Sequence, residues 1–340
     1  MTDSSQVLPP QSSAPPQTWP RRLARGILLA LVIILILGMT AWMAMAVNYA
    51  DLHSAAPRML WAGLLAITAL SVSAFVRPRR LGIGIFLLMF AGVLFWFFSI
   101  RPSNERDWAP EVAVLPYATI NGDLVTLHNI RDFDYRSETD FTPRYYDQTF
   151  NLSQLNSVEY ILSYWSGRAL AHAFLSFGFD DGRHVAISIE TRKEKGEDYS
   201  AIEGFFRQYE LIYIVSDERD VIRLRTNYRN EEVYMFQARA PVEKMRAVFM
   251  DYLVTINALR ERPQFYNALT ENCTTSLFAH LRCAPPYPPF TIGVLVSGYS
   301  AEYGYKSGGF DHSVSFEELE RRGHINDLAQ AADHATDFSQ

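Results

Sequence analysis

The segment "LAHAFLSFGFDDGRHVAISIETR", residues 170–192, decides the fold. Two runs rich in aromatic and β-branched residues flank "FDDGR", the pattern of strand, turn and strand. Asp180, Asp181 and Gly182 fit a three-residue hairpin loop, a type I turn closed by a glycine bulge. That loop pairs Phe179 with Arg183, and counting back along the two strands places His172 opposite Glu190. A carboxylate facing an imidazole can orient it as a base. A two-residue turn would shift the register by one and bring His184 or Thr191 into that position. A lone strand histidine between Ala171 and Ala173 is otherwise an ordinary structural residue.

Outward from this hairpin the chain keeps alternating between strand and helix signals. "SVEYILSYW" (157–165) reads as a strand that precedes the hairpin. "YATINGDLVTLHN" (117–129) carries Asn121-Gly122 between apolar alternations, a strong hairpin signal. "ERDVIRLRTN" (218–227) and "EEVYMFQAR" (231–239) are expected to form another strand pair. "PVEKMRAVFMDYLVTINALRER" (241–262) opens on Pro241, suited to a helix start. Its Met245, Val248, Phe249, Tyr252 and Leu253 share one apolar face. The fold class expected is α+β.

The second chemical feature is "TENCTTSLFAH" (270–280). Asn272 is a good N-cap, which makes Cys273 the first helical residue. A thiol there meets the positive end of the helix dipole, which favours the thiolate. The backbone N–H groups from Cys273 to Thr274 are placed to hold an oxyanion. The plain alternative is a small buried hydrophobe, the commonest role of a free cysteine. The other cysteine, Cys283, is about 15 Å further along a persistent helix, beyond the roughly 7 Å limit between bridged Cα atoms. His280 is about 10 Å from Cys273 by the same rise and is a poor base for it. His172 is the preferred base, with Glu190 as its orienting partner. His128 and His184 are the alternatives.

Ahead of this domain lie three apolar runs, Gly26–Val47, Met59–Val76 and Leu81–Ile100. Each approaches the roughly 20 residues needed to cross a bilayer. Residues 1–25 are expected as a disordered cytoplasmic tail, 26–100 as three transmembrane helices, 101–325 as a periplasmic cysteine-enzyme domain and 326–340 as a flexible tail. "RRLAR" (21–25) precedes the first span and "RPRR" (77–80) joins the second to the third. The excess of arginine places both in the cytoplasm, so the third span exits on the far side. The composition agrees with an apolar block joined to a polar globule: 49% of residues are hydrophobic, yet 20% are charged. A net charge of −6 argues against a nucleic-acid partner. "DFDYRSETDF" and "DERDVIRLR" interleave acids with arginines, so ion pairing is expected there rather than metal binding. No cofactor is expected.

Four blocks in order, "AHAFLSFGF", "AISIETRKEKGEDYS", "YELIYIVSDERDVIRLRTNYR" and "ENCTT", together resemble the Lnb N-terminal periplasmic domain family, over roughly residues 115–285. The resemblance implies a thiol-peptidase-like fold with a His–Cys pair. The best-understood members are bacterial lipoprotein N-acyltransferases. A histidine strand followed by a cysteine helix is also similar to the circularly permuted NlpC/P60 and lecithin:retinol acyltransferase-like enzymes, of the papain-like class. The resemblance implies Cys273 as nucleophile and His172 as base, a phospholipid as acyl donor, a lipoprotein as acceptor and a setting at the inner membrane. A periplasmic cysteine peptidase or amidase would use the same pair, and a membrane-anchored binding module would use neither. "APPYPPF" (284–290) has no counterpart in the resemblance.

Overall fold

The computed structural model describes residues 19–50, 58–291, 294 and 296–339. The chain divides into two compact units, the first ending at Ser99 and the second running from Ile100 onward. The first unit contains α1 (Trp19–Tyr49), α2 (Arg58–Phe75) and α3 (Arg79–Ser99). All three are long and apolar enough to cross a membrane. Met43, Ala69 and Phe86 form the centre of their packing. Gly82 matters at the α2–α3 hairpin, because a Cβ there would lie 2.8 Å from the Val72 carbonyl oxygen. The tail expected over 1–25 lies outside the described residues up to residue 18, and residues 19–25 belong to α1.

The second unit is built on a mixed, eight-stranded sheet. Its strands are β1 (Tyr117–Asn121), β2 (Leu124–Arg131), β5 (Tyr145–Asn151), β6 (Leu155–Ser166), β7 (Leu170–Phe179), β8 (His184–Arg192), β9 (Glu210–Ser216) and β10 (Glu232–Gln237). Two short strands between β2 and β5, β3 (Asp134–Tyr135) and β4 (Phe141–Thr142), pair separately. The order across the large sheet is β1-β2-β9-β8-β7-β6-β10, with β5 also paired to β2. Only the β2–β9 contact is parallel among the strand pairs described, through Arg131 and Ser216.

The hairpin at the centre has the anticipated loop. The Phe179 N–H donates to the Arg183 carbonyl (3.0 Å) and the Gly182 N–H to the Phe179 carbonyl (2.9 Å). Gly182 has φ of +78°, a conformation that favours glycine. The first hairpin is a little different from expectation: Asn121 pairs with Leu124, so the two loop residues are Gly122 and Asp123.

Helices α5 (Val242–Glu261) and α6 (Cys273–Leu281) cover one face of the sheet. Phe177 of β7, Phe249 and Tyr252 of α5 and Leu277 of α6 belong to this core. On the other face Phe174 and Ala186 meet Val221 and Ile222. Both faces of β7 are therefore buried, which accounts for its nearly unbroken apolar run.

Two expectations need correction. Residues 218–227 are not a strand. Glu218–Arg223 is α-helix (α4) and Leu224–Tyr228 a π-helical turn. Asp217 caps that helix by accepting the Arg219 N–H (2.9 Å), and Glu218 and Asp220 sit in its first turn. These local capping and dipole terms outweigh β-branched content. Residues 326–339 are not a loose tail. They carry a short helix, Asn326–Ala331. Asp333 then accepts from Arg223 Nε at 2.8 Å, and Phe338 packs against the Phe174 core.

Candidate active site

Helix α6 begins where the sequence places it. Asn272 Oδ1 accepts the N–H groups of Thr274 (3.0 Å) and Thr275 (2.9 Å). The Thr275 hydroxyl in return accepts the Asn272 N–H at 3.0 Å, which completes a capping box. The box fixes Cys273 at the first turn. It also commits the Thr274 N–H to the cap, so that group is not open to an oxyanion. The Cys273 N–H, at the first helical position, is a donor without a partner inside the helix.

The β7–β8 ladder ends at the Phe174–Ser188 pair. Beyond that end the His172 imidazole and the Ala173 backbone N–H lie close enough to the Cys273 sulfur to lower its pKa. Thr274 Oγ1 lies 3.7 Å from the same sulfur. His172 Nε2 is 2.7 Å from Ser188 Oγ and 3.2 Å from Glu190 Oε1. Ser188 Oγ donates to Glu190 Oε1 at 2.7 Å, and Arg225 Nη2 donates to the same carboxylate oxygen at 2.8 Å. The chain of contacts therefore runs thiol, imidazole, carboxylate, guanidinium.

Charge follows this geometry. Burial alone would hold Cys273 protonated, but His172 and three hydrogen bonds outweigh it and lower the thiol pKa. Burial likewise opposes a charged His172, yet Glu190 and the Cys273 thiolate raise it to about 9. Glu190 stays ionised against burial because His172 and Arg225 hold it well below the usual carboxylate range. Both shifts favour the thiolate–imidazolium pair over the neutral one. Around it Tyr160, Tyr199, Tyr252 and Tyr266 all feel the Cys273 charge, and burial keeps their hydroxyls neutral.

The other histidines sit elsewhere. His128 Nδ1 is 2.7 Å from Asp147 Oδ2, Nε2 is 3.1 Å from Thr119 Oγ1, and the ring stacks on Tyr117. His184 lies 3.7 Å from Glu218. His280 is clamped between Asp251 and Tyr213, each at 2.7 Å, and stacks on Tyr252. Cys273 and Cys283 are both free thiols.

Sequence reasoning named Cys273, His172 and Glu190, which the fold brings together, but missed Ser188 and Arg225. Ser188 had a signal, since it stands two residues before Glu190 on the same strand face. Arg225 had none of its own. The π-helical turn carries it to Glu190, and no local pattern announces that turn. The arginine-rich acidic stretches do form ion pairs: Arg136 with Asp140 inside the first, and Arg219 with Asp132 (3.7 Å) and Arg223 with Asp134 (3.9 Å) between the two. Asp220 also pairs with Arg131, just ahead of the first stretch, at 2.6 Å and accepts the Phe133 N–H at 2.7 Å.

Residues 141–298 match the family model of the Lnb N-terminal periplasmic domain, the family that the four sequence blocks resemble. The match contains His172, Glu190, Arg225 and Cys273. Together with three membrane-capable helices it fits a periplasmic, membrane-associated protein of the inner membrane. Searches of curated proteins and of solved structures give no match to this chain.

Proposed function

We propose that this domain is a membrane-tethered thiol acyltransferase that moves an acyl chain from a phospholipid to the N-terminal amine of a lipoprotein. The observation that carries the reading is the half-buried Cys273–His172–Glu190 chain at a helix N-terminus, inside a segment matching a periplasmic family. The order of histidine strand before cysteine helix also supports a permuted papain-like relationship. The arginine distribution supports a cytoplasmic N-terminus and a periplasmic domain.

The chemistry follows from the charges. The Cys273 thiolate attacks the ester carbonyl carbon and a C–S bond forms. The Cys273 N–H faces the developing oxyanion. The ester C–O bond breaks, the His172 imidazolium gives its proton to the departing oxygen, and lysophospholipid leaves. The acceptor amine then attacks the thioester. Its proton passes to His172, the C–S bond breaks, and the ion pair is restored with an amide formed. Glu190, backed by Arg225, keeps the imidazole oriented throughout. Water in place of the amine would make the same centre a hydrolase.

Mass spectrometry tests this directly. The full chain incubated with phosphatidylethanolamine is expected to carry an acyl mass on the Cys273 peptide, released by neutral hydroxylamine. Lipoprotein N-termini from a deletion strain are expected to lose one acyl chain. Cleavage of peptide substrates without any acyl adduct would instead establish the peptidase.

A further inference from the structure

Beside α6 lies a cavity of about 870 Å³, within the roughly 300–1,000 Å³ range of small-molecule sites. Its inner walls include Val158 and Leu175 from the sheet, Met245 and Val248 from α5, and Leu277 and Leu281 from α6. Leu277 stands one helical turn beyond Cys273. Tyr160, also on the wall, feels the charge of the Cys273 sulfur. One wall of the cavity thus lies about a helical turn from the candidate nucleophile.

The polarity of the lining selects the occupant. The inner polar pair, Tyr160 Oη and Ser300 Oγ, satisfies itself at 2.6 Å. Arg239 and Glu243 are exposed at the rim, and Lys244 Nζ donates to the Pro286 carbonyl. The outer wall includes Ala284–Pro289, four of whose six residues are proline, and a proline carries no N–H to offer a ligand. A peptide drawn inside would bury N–H and C=O groups against carbon, at a cost an alkyl chain does not incur. Gly304 and Phe310 close the cavity, and both lie beyond residue 298, where the family match ends.

We propose that this cavity is the acyl subsite, holding the hydrocarbon tail of the acyl group carried on Cys273. The proposal rests on the acyl-transfer reading above. It gives "APPYPPF" and the helix Ser300–Lys306 a role: they form a wall that sets which acyl lengths are accepted. Each buried methylene is worth roughly four-fold in affinity, so the depth of the cavity is a ruler.

Two measurements on the full chain in mixed micelles separate this proposal from the reaction it rests on. In the first, adducts on Cys273 are quantified with phosphatidylethanolamines bearing decanoyl, lauroyl, palmitoyl or stearoyl chains. Val248→Phe fills the cavity beside α5 and is expected to lower the palmitoyl-to-lauroyl adduct ratio by about ten-fold or more. An unchanged ratio in this variant overturns the acyl subsite. In the second, Cys273→Ala is irradiated with a lysophosphatidylethanolamine carrying a diazirine at the far end of its palmitoyl chain. Cross-links are expected on the cavity lining, within residues 158–175, 238–248, 277–289 or 300–310. Cross-links confined to other segments, or none, overturn the subsite even where Val248→Phe fails to fold. Cross-links at the cavity with no adduct on the unmodified chain would retain the lipid site and reject the transferase.

Discussion

The pair Cys273–His172 depends on a third residue, and its pH behaviour exposes that dependence. Glu190 helps hold His172 at about 9, above the ordinary imidazole value, while Cys273 is lowered. The ion pair therefore exists from the depressed thiol pKa up to about pH 9, and adduct formation should fall as His172 deprotonates. Removing the carboxylate lets the imidazolium lose its proton earlier. Glu190→Gln is expected to move the alkaline limb of adduct formation down by roughly one to three pH units. A uniform loss with the limb unmoved would mean that Glu190 is only structural. Cys273→Ser retains the shape but lacks an accessible anion. It should abolish adduct formation and leave thermal unfolding nearly unchanged, whereas Cys283→Ser, exposed and apart from the site, should behave as the parent.

Two short elements carry the geometry, and each has a measurable weak point. The α6 capping box aims the thiol, with Asn272 serving two backbone N–H groups. Asn272→Ala is expected to cost about 0.5–2 kcal/mol, seen as a lower denaturation midpoint, and to slow adduct formation further than Asn272→Asp, which keeps an acceptor. Helix α4 and the π-helical turn behind it deliver Arg225 to Glu190. They are anchored by Asp220, fully buried against Arg131 and the Phe133 N–H. Asp220→Ala leaves the Arg131 charge buried without its partner and should cost about 3–5 kcal/mol by urea unfolding. A change below about 1 kcal/mol would show that the pair behaves like a surface bridge.

At the scale of the molecule, three apolar helices precede the domain that carries Cys273, His172 and Glu190. Arg21, Arg22 and Arg25 precede α1, and the "RPRR" segment separates α2 from α3. The expected arrangement therefore puts the second unit in the periplasm. Alkaline phosphatase fused after Pro110 should be active, and a cytoplasmic reporter fused there should be silent. The reverse pattern would invert the protein and remove the periplasmic substrates proposed for it. With the proposed membrane-borne substrates, a tether of this kind would raise the local concentration at which they meet the thiol.

The sequence by itself determined the features governed by neighbours a few residues apart. The Asp180–Gly182 loop set the β7–β8 register and so the facing of His172 and Glu190. Asn272 set the start of α6, and uninterrupted apolar length marked α1 to α3. Each of these rests on a local hydrogen bond, a glycine φ or a periodicity that a short window contains. Only the tertiary structure decided that Cys273 meets His172, that a π-helical turn brings Arg225 behind Glu190, and that the segment after Cys283 walls an apolar cavity. Those contacts join residues tens to more than a hundred positions apart. Their stability comes from burying shared surface on both faces of one sheet, and burial is a property of the assembled layers rather than of any one stretch.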